Sequence, residues 1–264
     1  MRLAPVLSAV AVAGLTALAA CEPPPPRPQG DAEALALIDR ARTHHGSALL
    51  DRAEVTFSFR GTPYVVRRDE GAFRYARART DSLGRTVEEV LDNDGVRRLV
   101  DGAEQALAPD EAASLAESID SVVYFALLPA SLADPAVRAR VLTPDRVGGE
   151  DYDRVEVTFA RDQGANSQDR YVYWLRDDGR IGAFAYAYAP TPGDTARTET
   201  GTRFRVPIGE RRVGGVLFQD WQNLTADSLR GPDGPIEAFG DALDNGRTFP
   251  VSEVVLDSVA VRPL

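Results

Sequence analysis

Asp120-Ser121-Val122-Val123-Tyr124-Phe125-Ala126-Leu127-Leu128-Pro129 is the stretch around which the rest of the chain must fold. Upstream of it, Pro109-Asp110-Glu111 reads as a helix start, because proline suits the first turn and carboxylates suit the positive end of the helix dipole. Leu115, Ile119, Val122, Val123 and Ala126 then recur at helical spacing. From Val122 onward the polar face disappears, until Pro129 stops the segment. A helix without a polar side at one end is buried there all round, or faces a ligand. The flanking sequence has to supply the cover.

Both flanks read as strands. On the amino-terminal side, Val55 to Phe59 alternates apolar residues with Glu54, Thr56, Ser58 and Arg60. Tyr64-Val65-Val66, Ala72 to Arg77, Val87 to Leu91 and Val96 to Val100 follow. Asp69-Glu70-Gly71, Asp81-Ser82-Leu83-Gly84 and Asn93-Asp94-Gly95 separate them as turns, which predicts an antiparallel meander. On the other side, Asp134 to Val137 is expected to open a second short helix that closes the insertion near Leu142. Strands then resume at Tyr152 to Phe159, Asp169 to Leu175, Ala183 to Ala189, Gly201 to Val206, Arg211 to Trp221 and Val251 to Val261. Asp177-Asp178-Gly179 is a hairpin turn, and Gly214-Gly215 is expected to bulge or bend its strand. In Ala183 to Ala189, Phe184, Tyr186 and Tyr188 stand opposite a face of alanines, over which a helix is expected to pack. Residues 225–246, rich in Asp, Gly and Pro, read as a long loop. The count comes to about eleven strands, with helices at the start and in the middle.

The chain opens with Met1, Arg2 and an apolar run to Leu18, the pattern of a secretory signal. Leu18-Ala19-Ala20-Cys21 resembles the lipobox of bacterial lipoproteins, which implies that Cys21 is acylated and becomes the first residue of the mature chain. A plain anchor, or a cleaved signal leaving Cys21 free, is the alternative. The run is shorter than the roughly 20 apolar residues of a spanning helix, and the chain has no second cysteine. Glu22 to Gly30 is proline-rich and suits an extended spacer. Asp31 to His45 then has the spacing of a helix closed by Gly46. His44 and His45 sit in its last turn, where positive charge favours the helix dipole; on that reading, replacing both with Gln costs about 1 kcal/mol or less. The chain thus divides into a signal over 1–20, an acylated cysteine and linker over 21–30, and one domain over 31–264.

A formal charge of −10 disfavours nucleic acid or an anionic surface as partner, which leaves the acyl chains to bind the membrane. The 44% hydrophobic and 27% charged residues are those of an ordinary globular domain. All 30 basic residues are arginine, a bias that a GC-rich genome or adaptation to salt would each produce. No nucleophile stands beside a base in any known pattern, and neither phosphate-cradling loops nor zinc spacings occur. Asp162-Gln163-Gly164-Ala165-Asn166 lacks the acidic residue that closes a calcium loop and reads as a solvated turn. Glu150-Asp151-Tyr152-Asp153 is a further acidic cluster. Forty acidic residues bring some pairs together in any fold, and nothing singles one out for glycoside chemistry. No enzyme activity, cofactor or metal is expected.

The order of elements resembles the LolA/LolB superfamily of periplasmic lipid and lipoprotein carriers. That resemblance implies an α+β fold: a strongly curved antiparallel sheet forming an unclosed half-barrel, with helices packed on its concave face. More narrowly, Asp120 to Pro129, Tyr171-Val172-Tyr173-Trp174 and Gly201-Thr202-Arg203-Phe204-Arg205 resemble an uncharacterised family of bacterial lipoproteins, which brings no catalytic residues. The expectation is a monomeric envelope lipoprotein, held at the outer membrane facing the periplasm, with an acyl chain or other apolar ligand between helix and sheet. Tyr124, Phe125, Leu127 and Leu128 are expected to line that space. Phe57, Phe59, Phe159, Tyr171, Tyr173 and Phe204 are expected opposite them, each on the less charged face of its strand. The alternative is a structural or interaction lipoprotein whose core is simply full; its protein partner is unknown on either reading.

Overall fold

The computed structural model describes residues 26–160, 169–188, 201–229 and 235–264. Cys21, the signal and the Asp162 turn therefore lie outside the described residues. The spacer's last two residues, β1 (Gln29–Gly30), pair in parallel with Arg138 and Ala139. Helix α1 (Ala32–His45) follows and buries Ala34, Leu37, Ile38 and Ala41. Its cap is Gly46 at φ 71°, and a Cβ there would lie 2.5 Å from the Gly215 carbonyl oxygen.

The meander forms as the alternation and turns require: β2 (Arg52–Phe59), β3 (Thr62–Asp69), β4 (Ala72–Thr80), β5 (Thr86–Asp92), β6 (Gly95–Val100) and β7 (Ala103–Gln105). Helix α2 (Pro109–Ala126) interrupts it, followed by a 3-10 turn at Ala130–Ala133. The expected second helix at 134–137 does not form. Val137 instead opens an eleven-residue strand, β8 (Val137–Val147), whose Val137 and Ala139 are buried while Arg138 and Arg140 turn outward, a period of two that helical spacing does not match. Strands β9 (Glu150–Phe159), β10 (Arg170–Leu175), β11 (Ile181–Tyr188), β12 (Gly201–Val213) and β13 (Val216–Thr225) complete the second half. Gly214 and Gly215, at φ 58° and 87°, make a hairpin turn between β12 and β13; the irregularity in β12 falls instead between Pro207 and Gly209.

The expected loop after Thr225 carries a short helix, α3 (Phe239–Asp244), preceded by 3-10 turns. The expected last strand is two, β14 (Phe249–Val254) and β15 (Leu256–Pro263). They lie in different sheets: β14 pairs with β13, and β15 pairs with β2. One sheet runs β1-β8-β9-β10-β11-β12-β13-β14 and the other β15-β2-β3-β4-β5-β6-β7, so the two adjoin where the chain passes from Val254 to Leu256. Their far edges, β1 and β7, do not pair, and the wall stays open as an α+β half-barrel.

Helices α1 and α2 pack on the inner face. The tip of α2 is enclosed from two sides: Tyr124 and Leu128 join the core of the eight-stranded sheet, while Val123, Ala126 and Leu127 join that of the seven-stranded sheet. This is the enclosure that the loss of a polar face demands. Helix α3 lies on the outer face, where Phe239 and Ala242 cover Ala183, Ala185 and Ala187, as the alanine face predicts. Among the described residues no helix is long and apolar enough to cross a membrane.

Candidate functional site

A cavity of about 820 Å³ lies between α2 and the inner face, within the range of about 300–1,000 Å³ usual for small-molecule sites. The aromatic rings of Phe59, Tyr124, Phe125, Tyr171, Tyr186 and Tyr188 line it. Exposed residues, among them Arg60, Asp110, Glu111 and Ser118, rim its mouth.

The rings are placed by strand alternation. On β10 and β11 the register sets Tyr171 opposite Tyr186 and Tyr173 opposite Phe184, so all four share the inner face with the tip of α2. Phe125 stands among them, 5.3 Å from Tyr186 and 5.9 Å from Phe184 between ring centroids. Behind this layer the Tyr124 and Tyr173 hydroxyls share a hydrogen bond of 2.9 Å, and the Tyr171 hydroxyl donates to Asp169 at 3.2 Å. Burial pushes all three tyrosine hydroxyls upward in pKa, so they act as neutral polar groups.

The meander wall contributes a charged network. Glu89, only 2% exposed, accepts from Arg77 at 2.7 Å and from Arg98 at 2.9 Å. Burial alone would raise its pKa, but hydrogen bonds and charge from Arg77 and then Arg98 hold it below the ordinary carboxylate range. Arg98 also reaches Glu111, and Arg77 donates to Ser118 at 3.0 Å, which ties the first turns of α2 to the sheet. The opposite wall carries Arg203 and Arg205 on β12. The Arg205 guanidinium lies 4.0 Å over the Phe125 ring, with Nη2 donating to the Tyr186 hydroxyl at 3.1 Å.

Of the residues expected at the site, Phe59, Tyr124, Phe125 and Tyr171 line the cavity. Leu128 and Tyr173 lie in the core beside it. Leu127 and Phe57 fill the other core, where Phe57 stacks on Tyr64 at 5.1 Å. Phe159 borders a smaller cavity of about 340 Å³ on the far side of Tyr124. Phe204 is on the wrong face: it stacks on Phe239 at 5.1 Å beneath α3, and Arg203 and Arg205 take the inner positions. The rule of choosing the less charged face fails there because both faces are covered, and arginines stack on the aromatic rings inside. Tyr186 and Tyr188 were legible as one face of an alternating strand, whereas the arginines carried no such mark. His45 also differs from expectation. It is 1% exposed, and burial, with the neighbouring His44 charge, pushes its pKa down to about 4, so it stays neutral in the core instead of complementing the helix dipole.

Fold and cavity together define an unclosed half-barrel with an aromatic interior. The chain belongs to a family of unknown function, DUF6503, whose pattern matches residues 47–253. No curated protein matches it. Among solved structures it is similar to a LolA superfamily protein, NE2245, from Nitrosomonas europaea, with 12% identity, TM-score 0.42, and 85% of this chain and 94% of that one covered. It is similar also to a putative outer membrane lipoprotein-sorting protein domain from Vibrio parahaemolyticus, with 10% identity, TM-score 0.41 and coverages of 87% and 93%. A DUF1329 family protein from Desulfovibrio piger shows 11% identity, TM-score 0.38 and coverages of 86% and 92%. At such identities and scores the likeness is one of outline.

Proposed function

We propose that this protein is an envelope lipoprotein that binds a hydrophobic ligand, an acyl chain or lipid, between α2 and the inner face of its half-barrel. The observation that carries this reading is the cavity of about 820 Å³ lined by six aromatic rings. The space opens to solvent past Arg60 and Ser118 and runs inward to a helix tip without a polar face, which favours an occupant over a filled core. The mature chain acts as a monomer, tethered through acylated Cys21, with the proline-rich residues after it as spacer. Glu22 follows the cysteine in place of the Asp that retains lipoproteins at the inner membrane in enteric bacteria, which supports the outer membrane as its site.

Native mass spectrometry of the mature chain tests the ligand, with co-purifying lipid as the expected result. A ligand-free protein that also fails to bind a fluorescent fatty acid would overturn the reading in favour of a packed interaction lipoprotein. Changing Cys21→Ser tests the tether. The variant is expected in the soluble fraction or uncleaved, and density-gradient separation of the two membranes tests the location of the unaltered protein.

A further inference from the structure

Arg205 lines the cavity with 6% of its surface exposed. Its guanidinium is caged by rings, 4.0 Å from the Phe125 centroid, 5.3 Å from Tyr186 and 5.4 Å from Phe184. Two of its nitrogens have polar partners: Nη2 donates to the Tyr186 hydroxyl at 3.1 Å, and Nε to Asn223 Oδ1 at a long 3.4 Å. Nη1 is buried and donates to nothing. Among the described residues no carboxylate makes an ion pair with Arg205, whereas Arg77 and Arg98, lining the same cavity, share Glu89.

A guanidinium keeps its charge under all ordinary conditions. A buried charge without a counterion is unfavourable, and ring faces offset only part of that cost. With no ion-paired carboxylate among the described residues, a ligand anion fits Arg205, since a carboxylate or phosphate accepts two parallel guanidinium hydrogen bonds. We propose that Arg205 is the anion-recognising end of the cavity, and that the ligand is an acidic single-chain amphiphile. Its oxyanion pairs with Arg205, and its apolar chain lies along Phe125, Tyr171, Tyr186 and Tyr188. Nη1 is closed to water and the Phe125 ring stacks 4.0 Å from the guanidinium, so pairing with the oxyanion requires the packing around Arg205 to give way. Asp169, which accepts the Tyr171 hydroxyl, and Glu117 are buried in the same lining, with Asp110 and Glu111 at the mouth, and a specific pairing with Arg205 has to overcome their repulsion.

This inference rests on the cavity being a binding site, and the test separates the two. Delipidated mature protein is titrated with dodecanoate, dodecyl phosphate, dodecanol and dodecyltrimethylammonium below their micellar concentrations, by competition with a fluorescent fatty acid. The acids are expected to bind about ten- to a hundredfold more tightly than the alcohol, the range that one charge-assisted pairing supplies, with the cation weakest. Whichever acid binds better identifies a carboxylate or a phosphate source, and either supports the proposal. In Arg205→Met, with folding checked by circular dichroism, the preference for acid over alcohol is expected to fall to within about threefold. Equal binding of acid and alcohol by the unaltered protein, a comparison needing no variant, would overturn the inference and leave the hydrophobic reading standing. A preference that survives Arg205→Met would also overturn it. Binding of none of the probes would overturn both.

Discussion

The two walls of the cavity hold their arginines in opposite ways. On the meander side, Arg77 and Arg98 converge on Glu89, and each also reaches α2, through Ser118 and Glu111. On the other side Arg205 is more deeply buried, yet rings surround it and no carboxylate among the described residues pairs with it. Both arrangements place charge where water is scarce. The first closes its electrostatics within the protein and fastens a helix, while the second leaves a positive charge for something else to neutralise. A buried ion pair marks the structural wall, and on the wall that we propose receives the ligand the buried cation meets only rings and neutral polar groups among the described residues.

The largest expected effect is on the structural wall. Glu89→Gln removes the anion shared by Arg77, Arg98 and, at 3.7 Å, Arg79, leaving Arg98 only Glu111, and is expected to lower stability by about 3–5 kcal/mol at neutral pH, read from the denaturant midpoint. The folded-state pKa of Glu89 is depressed, so its contribution is complete above the unfolded value and is lost as pH falls through the folded value. The gap between variant and unaltered protein should accordingly close in acid. A cost below about 1 kcal/mol would place this network with weak surface pairs and erase the distinction between the walls.

Phe204 and Phe125 sharpen the comparison apolar residue by apolar residue. Phe204 is fully buried under α3, and Phe204→Ala is expected to cost about 3–5 kcal/mol. Phe125 borders empty space, so Phe125→Ala is expected to cost only about 1–2 kcal/mol while changing fatty-acid affinity. Equal costs would mean that the cavity is filled from within.

Two titrating groups give the next effect, with opposite signs. Burial, with the charges of Asp134 and Glu117, pushes Asp120 up from 3.8 to about 6. Its ionisation opposes folding, so its contribution is most favourable below its unfolded value and is lost as pH rises towards 6. Asp120→Asn is expected to stabilise by roughly 2–3 kcal/mol above that pH and by nothing below about pH 4, as chemical denaturation across pH would show. His45 moves the other way, from 6.5 down to about 4, so its contribution is complete above 6.5 and is lost as pH falls to 4. His45→Gln is therefore expected to flatten a slope that Asp120→Asn steepens. The smallest expected effect belongs to Arg205→Met: without ligand, its stability should change by less than about 1 kcal/mol or rise, because the charge removed has rings and neutral polar partners but no ion-paired carboxylate among the described residues.

The sequence by itself determined the local structure. Alternation and turn residues placed β2 to β6 because strand period and turn chemistry are carried by adjacent residues. The loss of a polar face between Val122 and Leu128 required enclosure of the α2 tip, and the alanines of β11 required a covering layer. Tertiary structure decided which surface did the enclosing. Val251 to Val261 reads as one strand, and only the meeting of two sheets breaks it at Val255. Phe239 and Ala242 read as part of a loop until they settle on those alanines. Arg203-Phe204-Arg205 reads as a strand with a charged outside, yet the arginines face inward. Alternation fixes that neighbouring residues point apart, but the choice of inner side rests on long-range burial that neighbouring residues do not encode. Here α3 covers the apolar side and the aromatic rings of β10, β11 and α2 accept the guanidinium groups, so a face that looks solvated becomes the wall of the cavity.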